Sequence, residues 1–469
     1  MDSRQLNHEL RRAFGFEPTE GQSKVMHHLS VFLLSKKIHP VYLLKGFAGT
    51  GKTSLVSALV KVLPALRMKV VLLAPTGRAA KVLSAYSGRT AHTIHRKIYF
   101  HTRQADGRRK MVLASNKHTH CLFIVDEASM ITDSTAETGR SLLDDLMQYV
   151  WSGENCRLLL IGDHAQLPPV GLSFSPALDL QMLKSAYDIT AASCELTEVM
   201  RQALNSGILF NATRIREKLA AGHSKMPMFA LNGFHDISIL DAGNMEDLMN
   251  TAFGGRDFSK AVVICRTNRR ANLYNQAIRQ RILGMEPEME TGDLLMVVKN
   301  NYFWIAEGDT GGFIANGDIA EVMRISRREE IFGFNFADVE LRFVEYPDQP
   351  PLSVKIITDT LMSEGAALTE ADHQKLTAAI ADDYADETSK SRRWALIREN
   401  PYFNALQVKY AYALTCHKTQ GGQWPLVFID SGIFKTEQLD IGYLRWLYTA
   451  ITRATSQVYL MNFTSDFFE

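Results

Sequence analysis

The chain has 469 residues, 46% of them hydrophobic and 22% charged, and a formal net charge of +1; this is the balance of an ordinary folded protein with room for several domains. No apolar run approaches membrane-spanning length, and the N-terminal MDSRQLNHELRRAFGF has no apolar signal core, which argues against export. The cysteines (Cys121, Cys156, Cys194, Cys265, Cys416) are scattered, odd in number and contain no CxxC pair, which argues against a disulfide framework, a zinc site or an iron–sulfur cluster and fits a reducing cytoplasm. With charge so nearly balanced, any surface for a polyanion must be local.

In chain order, the first informative stretch is LLKGFAGTGKTSLVSAL, Leu43 to Leu59: an apolar strand, a glycine-rich turn and a helix. Gly46-x-x-x-x-Gly51-Lys52-Thr53 matches the Walker A pattern, in which curled backbone N–H groups and a helix N-terminus face phosphate oxygens. Lys52 can reach the outer phosphates, and Thr53 offers a hydroxyl to Mg²⁺. The strand VVLLAPTGRAAKVL follows. Between Arg96 and Lys117 lie seven Lys/Arg against one acid, Asp106. There KIYFHTRQ, Asp106-Gly107 and RRKMVLAS predict two strands around a tight turn, with Tyr99 and Phe100 available to pack the hairpin or to stack on a base.

CLFIVDEASM then supplies a Walker B: Asp126 would hold Mg²⁺ through water and Glu127 would orient and deprotonate an attacking water. In isolation the two acids could also be the first turn of a helix. RLLLIGDHAQLPPVG is a further strand ending in polar residues. Four apolar strands ending in polar loops predict an open parallel sheet that binds ligand at its carboxyl edge.

AVVICRTN, KYAYALTCHKTQG, LVFID and QVYLMNF predict a second parallel sheet, and no second Walker A precedes them. Between Gly292 and about Leu406 this group is interrupted by short β-like runs separated by Gly/Asp/Asn/Pro turns, which predict a small SH3-like barrel. Thr369 and Asp372 form a capping box, and Leu376, Ile380 and Tyr384 recur at helical spacing, so helices packed on the barrel are expected; the alternative is a polar, solvated excursion.

The ordered set FEPTEGQ, GFAGTGKT, APTGRAA, RTAHTIHR, VDEA, GDHAQLPPV, LTEVMRQ, CRTNRR, TCHKTQGGQW and LYTAITRA resembles a superfamily 1 helicase of the RecD-like/Dda-like branch (superfamily 1B), over nearly the whole chain. GDHAQLPPV and TCHKTQGGQW are its most specific segments. The resemblance implies that Gln22 reads adenine, its carboxamide donating and accepting at once. It implies that Gly46, Gly49, Thr50, Gly51, Lys52, Thr53 and Gly421 hold ATP, that Thr53 and Asp126 hold Mg²⁺, and that Glu127 activates water. Gln166 would sense the γ-phosphate, and Arg201 and Arg453 would clamp it, a planar charged guanidinium being suited to transition-state charge.

Single-stranded DNA would cross both lobes on Pro75, Thr76, Thr90, His92, Thr267, Asn268, Thr415 and His417. Most of these are short polar groups suited to phosphate and sugar, so no sequence specificity is expected. His92 with His95 could be taken for a metal pair, but ordinary loop histidines account for them better.

The implied fold class is α/β, with two RecA-like parallel-sheet lobes. The first lobe comprises residues 1–96 and 120–202, with a β-hairpin insertion at 97–119 used as a wedge. The second comprises 203–292 and 406–469, with an SH3-like barrel and helices inserted at 293–405. The short hairpin, in place of the large helical insertion of helicases of opposite polarity, implies 5′→3′ movement. A compact, monomeric, cytoplasmic ATP-dependent DNA helicase of repair or recombination is expected, acting on single strands and duplex forks, without an extra N-terminal domain or nuclease signature. The alternatives are an RNA helicase of the same superfamily and a non-motor ATP-binding subunit of a repair complex.

Overall fold

The computed structural model describes residues 1–103, 109–133, 139–199, 205–222, 226–241, 243–305, 313–432 and 439–469. The first sheet is built from β1 (Pro40–Gly46), β2 (Lys69–Ala74), β3 (Ala91–Thr93), β6 (Cys121–Val125), β7 (Arg157–Gly162) and β8 (Thr190–Leu196), with β4 (Tyr99–Arg103) and β5 (Arg109–Leu113) forming a separate hairpin. The strand order is β3-β2-β6-β7-β1-β8, every neighbouring pair being parallel.

Strand side chains alternate between faces, and β1 shows the consequence. Tyr42 and Leu44 join one hydrophobic cluster, whereas Val41 and Leu43 join the other. β6 divides likewise, Leu122 and Ile124 against Phe123 and Val125. Both faces are covered by helices, which is why these strands read as unbroken apolar runs.

The second sheet contains β9 (Ile237–Ile239), β10 (Ala261–Cys265), β16 (Ala413–Thr415), β17 (Trp424–Asp430) and β18 (Ala454–Met461), in the order β16-β10-β17-β18-β9, again parallel throughout. Between β10 and β16 the chain builds a closed five-stranded barrel of β11 (Leu294–Val297), β12 (Ile319–Ile331), β13 (Phe334–Phe343), β14 (Leu352–Ile357) and β15 (Leu406–Tyr410). The helices Glu370–Asp382 and Lys390–Glu399 lie on it: Leu376, Ile380 and Ile397 share a cluster with Phe334, Phe336 and Ile357. The fold is therefore α/β, with two RecA-like parallel sheets, a hairpin in the first and an SH3-like barrel with helices in the second.

One expected strand divides. KYAYALTCHKTQG, expected as one strand of the second lobe, begins inside Leu406–Tyr410, which closes the barrel, and only Ala413–Thr415 joins the second sheet. A continuous apolar run carries no mark of the place where it changes sheets. The change is held by Asn275, which donates to the Tyr410 and Ala413 carbonyls at 3.2 and 3.0 Å and accepts the Ala413 amide at 2.7 Å. Its carboxamide replaces the ladder partners that the backbone loses there.

Arg279 and Asp293, both fully buried, pin the same junction at 2.7 Å. Arg279 also donates to the carbonyls of Pro287 and Glu288, and Tyr412 donates its hydroxyl to Asp293, so both buried charges have partners.

Candidate nucleotide cleft and strand track

The phosphate loop follows from its glycines. Gly49 and Gly51 have φ of 74° and 86°, in the left-handed region that side-chain-bearing residues rarely adopt. A Cβ on Gly46 would meet Thr50 Oγ1 at 3.0 Å and Leu196 Cβ at 3.1 Å. Gly51 is the N-cap of the helix Lys52–Val62, so Lys52 and Thr53 open that helix at its positive end. Lys52 Nζ donates to the carbonyls of Gly46 and Phe47 at 2.6 and 2.9 Å.

Gly49, Thr50, Gly51, Lys52 and Thr53 line one cavity of about 340 Å³ together with Asp126, Glu127 and Gln166 from the first sheet's loops and Gly421 and Arg453 from the second. Asp126 follows β6; its Oδ1 accepts the Glu127 amide at 2.9 Å and its Oδ2 accepts the Tyr86 hydroxyl at 2.5 Å. Glu127 sits at φ 51°, a turn that swings its carboxylate toward the cleft. Arg453 Nη1 stands 3.9 Å from Glu127 Oε1. Burial pushes the Glu127 carboxyl above its ordinary range, opposed by Arg453 and reinforced by Asp126. Gln166 is 5% exposed, and its Oε1 has no hydrogen-bond partner.

Gln22 does not line the cavity and is 1% exposed. Its Oε1 accepts the Thr19 amide at 3.0 Å and its Nε2 donates to the Thr50 carbonyl at 3.0 Å, so in this structure it ties a helix start to the phosphate loop. Arg201 lies outside the described residues, as does the hairpin turn Asp106-Gly107.

The residues expected to touch DNA gather on the edge pairs of the two sheets. Pro75 and Thr76 follow β2, Thr90 and His92 lie before and within β3, Thr267 and Asn268 follow β10, and Thr415 ends β16 with His417 two residues on. Thr76 and Thr267 are N-caps, their hydroxyls accepting the Ala79 and Arg270 amides at 3.2 Å each. Burial lowers the His417 pKa, which favours a neutral ring. Gly421, which lines the cleft, also reaches the sheet edge: a Cβ there would meet Ala79 Cβ at 2.6 Å and Thr76 Oγ1 at 3.2 Å.

Part of the basic excess is structural. The Arg96 guanidinium lies 3.9 Å from the Tyr346 ring centroid, against the barrel side of the molecule. In the hairpin, Tyr99 donates to Asp145 at 2.7 Å and is a packing residue, whereas Phe100 is exposed. Among the described residues no group of three or more His, Cys, Asp or Glu gathers to hold a metal, and no helix is long and apolar enough to cross a membrane.

Asp163, Tyr86 and Tyr448, which build the cleft walls or hold them, are not marked out by the motifs. Asp163 and Tyr448 stand inside recognised segments, but only the fold shows that they face each other.

A phosphate-loop site walled by two parallel sheets, with an arginine of the second against a carboxylate of the first, defines a two-lobed P-loop protein. An AAA domain model matches residues 19–233 and a UvrD-like helicase C-terminal domain model matches 410–461. The chain is thus similar, in order, to an AAA domain and to the C-terminal domain of UvrD-like helicases.

Similar proteins include the ATP-dependent RecD2 DNA helicase of Deinococcus radiodurans, 34% identical over 36% of this chain and 21% of that protein. The ATP-dependent DNA helicase dda of Enterobacteria phage T4 is 27% identical over 60% of each chain. The match therefore spans less than two thirds of the length of these curated relatives. A solved structure of Pif1 helicases at forked double-stranded DNA aligns over 97% of this chain and 94% of its own, at 16% identity and a TM-score of 0.48.

Proposed function

We propose that this protein is an ATP-driven DNA helicase, a monomeric motor that moves 5′→3′ on single-stranded DNA and separates duplex at a fork. The observation that carries the reading is the 3.9 Å approach of Arg453 to Glu127 across the cleft, on the wall that also holds Lys52. Hydrolysis chemistry placed at a seam makes the seam move: binding and cleavage of ATP would close and open the lobes along the strand. The relatives named as DNA helicases support the substrate, and the short hairpin supports the polarity.

Glu127, raised by burial yet facing Arg453, is the base that would take the proton of the attacking water. Lys52 would leave the loop carbonyls for the outer phosphates, and Arg453 would meet the charge that develops on the transferred oxygens. Gln166, with its buried Oε1 unpartnered, is suited to hold water or phosphate.

Thr53 and Asp126 fit Mg²⁺. They are hard oxygen donors on one wall, and the Tyr86 hydroxyl and Glu127 amide fix the carboxylate from behind. Bound there, the ion would neutralise phosphate charge.

In this reading residues 1–96 and 120–202 form the first lobe, 97–119 the wedge, and 203–292 with the chain beyond the barrel the second lobe. The eight positions on the sheet edges, seven of them polar, would hold the DNA backbone.

ATP turnover measured with and without single-stranded DNA or RNA tests the reading. Stimulation by DNA is expected; RNA preference would favour the RNA helicase, and no turnover would favour a non-motor subunit. Forked substrates bearing only a 5′ or only a 3′ tail test polarity, with unwinding from the 5′ tail expected.

A further inference from the structure

Tyr448 lies near the end of the helix Ile441–Ile451 and is 1% exposed. Its hydroxyl donates to Asp163 Oδ2 at 2.6 Å and accepts the amide of Ala48 at 3.0 Å. A phenol has one proton; given to the carboxylate, it leaves a lone pair for the amide, so the directions are fixed. The other Asp163 oxygen accepts the Ala165 amide at 2.9 Å. Burial, with Asp163 beside it, holds the phenol pKa well above its usual value, so the hydroxyl remains a donor.

The three groups come from three elements: the phosphate loop after β1, the loop after β7, and a helix of the second sheet. The same helix end carries Arg453. Thr452 Oγ1 donates to the Tyr448 carbonyl at 2.8 Å, and Arg453 Nε donates to the Thr449 carbonyl at 3.0 Å. Thr449 Oγ1 accepts the Leu167 amide at 2.9 Å, a second tie between that helix and the loop after β7. The place of Arg453 is thus referenced to the phosphate loop through Tyr448.

We infer that Tyr448 is a positioning residue, whose hydroxyl sets the register in which Arg453 of the second sheet meets Glu127 and the phosphate loop of the first. The inference rests on the hydrolysis reading above. Without the hydroxyl, Asp163 Oδ2 and the Ala48 amide lose their partner only where the cleft is closed; in an open cleft water serves both. The loss therefore falls on the arrangement that hydrolyses ATP, not on nucleotide capture by the first lobe.

In the full-length protein, Tyr448→Phe keeps the ring and removes the bond. DNA-stimulated ATPase should show kcat lower by about ten- to a hundredfold and the KM for ATP changed by less than about threefold. In an Arg453→Lys background the same change should cost less than about threefold more, because both substitutions damage one step. A kcat within about twofold of wild type, a loss confined to KM, or an equal loss in both backgrounds would overturn the inference.

Asp163→Asn tests the same bond from its other end, with a non-additive kcat loss expected and an additive one contrary. Wild-type turnover in the same assay reports on the hydrolysis reading itself. Spin labels on the exposed faces of the two lobes read the register without turnover: Tyr448→Phe should broaden the interlobe distance distribution, and an unchanged distribution would overturn the inference.

Discussion

The centre and the edge of each sheet do different work with the same kind of strand end. At the centre, β1, β6 and β7 deliver Lys52, Asp126, Glu127, Asp163 and Gln166 into one cavity, where Lys52, Asp126 and Asp163 have hydrogen-bond partners and Gln166 Oε1 has none. At the edges, β2 with β3 and β10 with β16 deliver Thr76, His92, Thr267 and Thr415, short groups that mostly cap helices and face outward. Transition-state chemistry tolerates little displacement, so its groups are buried and cross-tied. In the proposed reading a DNA strand slides over these edges, and shallow contacts of similar strength to any sequence serve that better. Gly421 stands between the two regions: it lines the cleft and packs on Ala79 beside Thr76.

The contrast can be broken from the centre outward. Glu127→Gln should lower turnover by about 10²- to 10⁴-fold while ATP still binds, and near-normal turnover would place the base elsewhere. The raised Glu127 carboxyl adds a pH signature, because the base works only when ionised. Turnover should rise with pH through a transition above the ordinary carboxylate range, and that limb should vanish in the Gln variant; a wild-type profile already flat there would contradict the assignment.

Arg279→Ala at the barrel junction leaves Asp293 buried and uncompensated. It should lower stability by about 3–5 kcal/mol in denaturant unfolding, and a loss below about 1 kcal/mol would show that the junction relaxes.

Replacing residues 101–109 with a tight turn should impair strand separation while DNA-stimulated turnover persists; equal loss of both would remove the wedge. Smallest of all, Thr267→Ala should cost about 1 kcal/mol of helix capping and weaken single-strand affinity a few-fold, with ATP affinity unchanged. A matching loss of ATP affinity would mean that track and cleft are not separable.

The sequence displayed the phosphate loop, both carboxylates, the hairpin strands and the barrel because each is local: glycine spacing, an apolar run before acids, or alternation broken by turns. It hid what depends on two distant segments meeting. Gln22 is expected from its motif to read adenine, and only the fold shows both ends of its carboxamide bonded to Thr19 and Thr50. Arg96 looked like part of a basic surface, and the fold stacks it on Tyr346. The change of sheet after Tyr410 had no local signal, since Asn275, which makes it possible, lies 135 residues away from Tyr410. Tyr448 reads as core and is core, except for one oxygen atom placed between two loops of the other lobe.

The most direct test of a nucleotide site shared by two sheets is the full-length Arg453→Ala variant, followed by DNA-stimulated ATP turnover alongside equilibrium ATP binding. The account predicts turnover lower by at least about 10³-fold with ATP affinity largely retained, because the phosphate loop alone captures the nucleotide. Turnover close to wild type would mean that the second sheet contributes nothing to the chemistry, and the coupling of hydrolysis to movement would be lost with it.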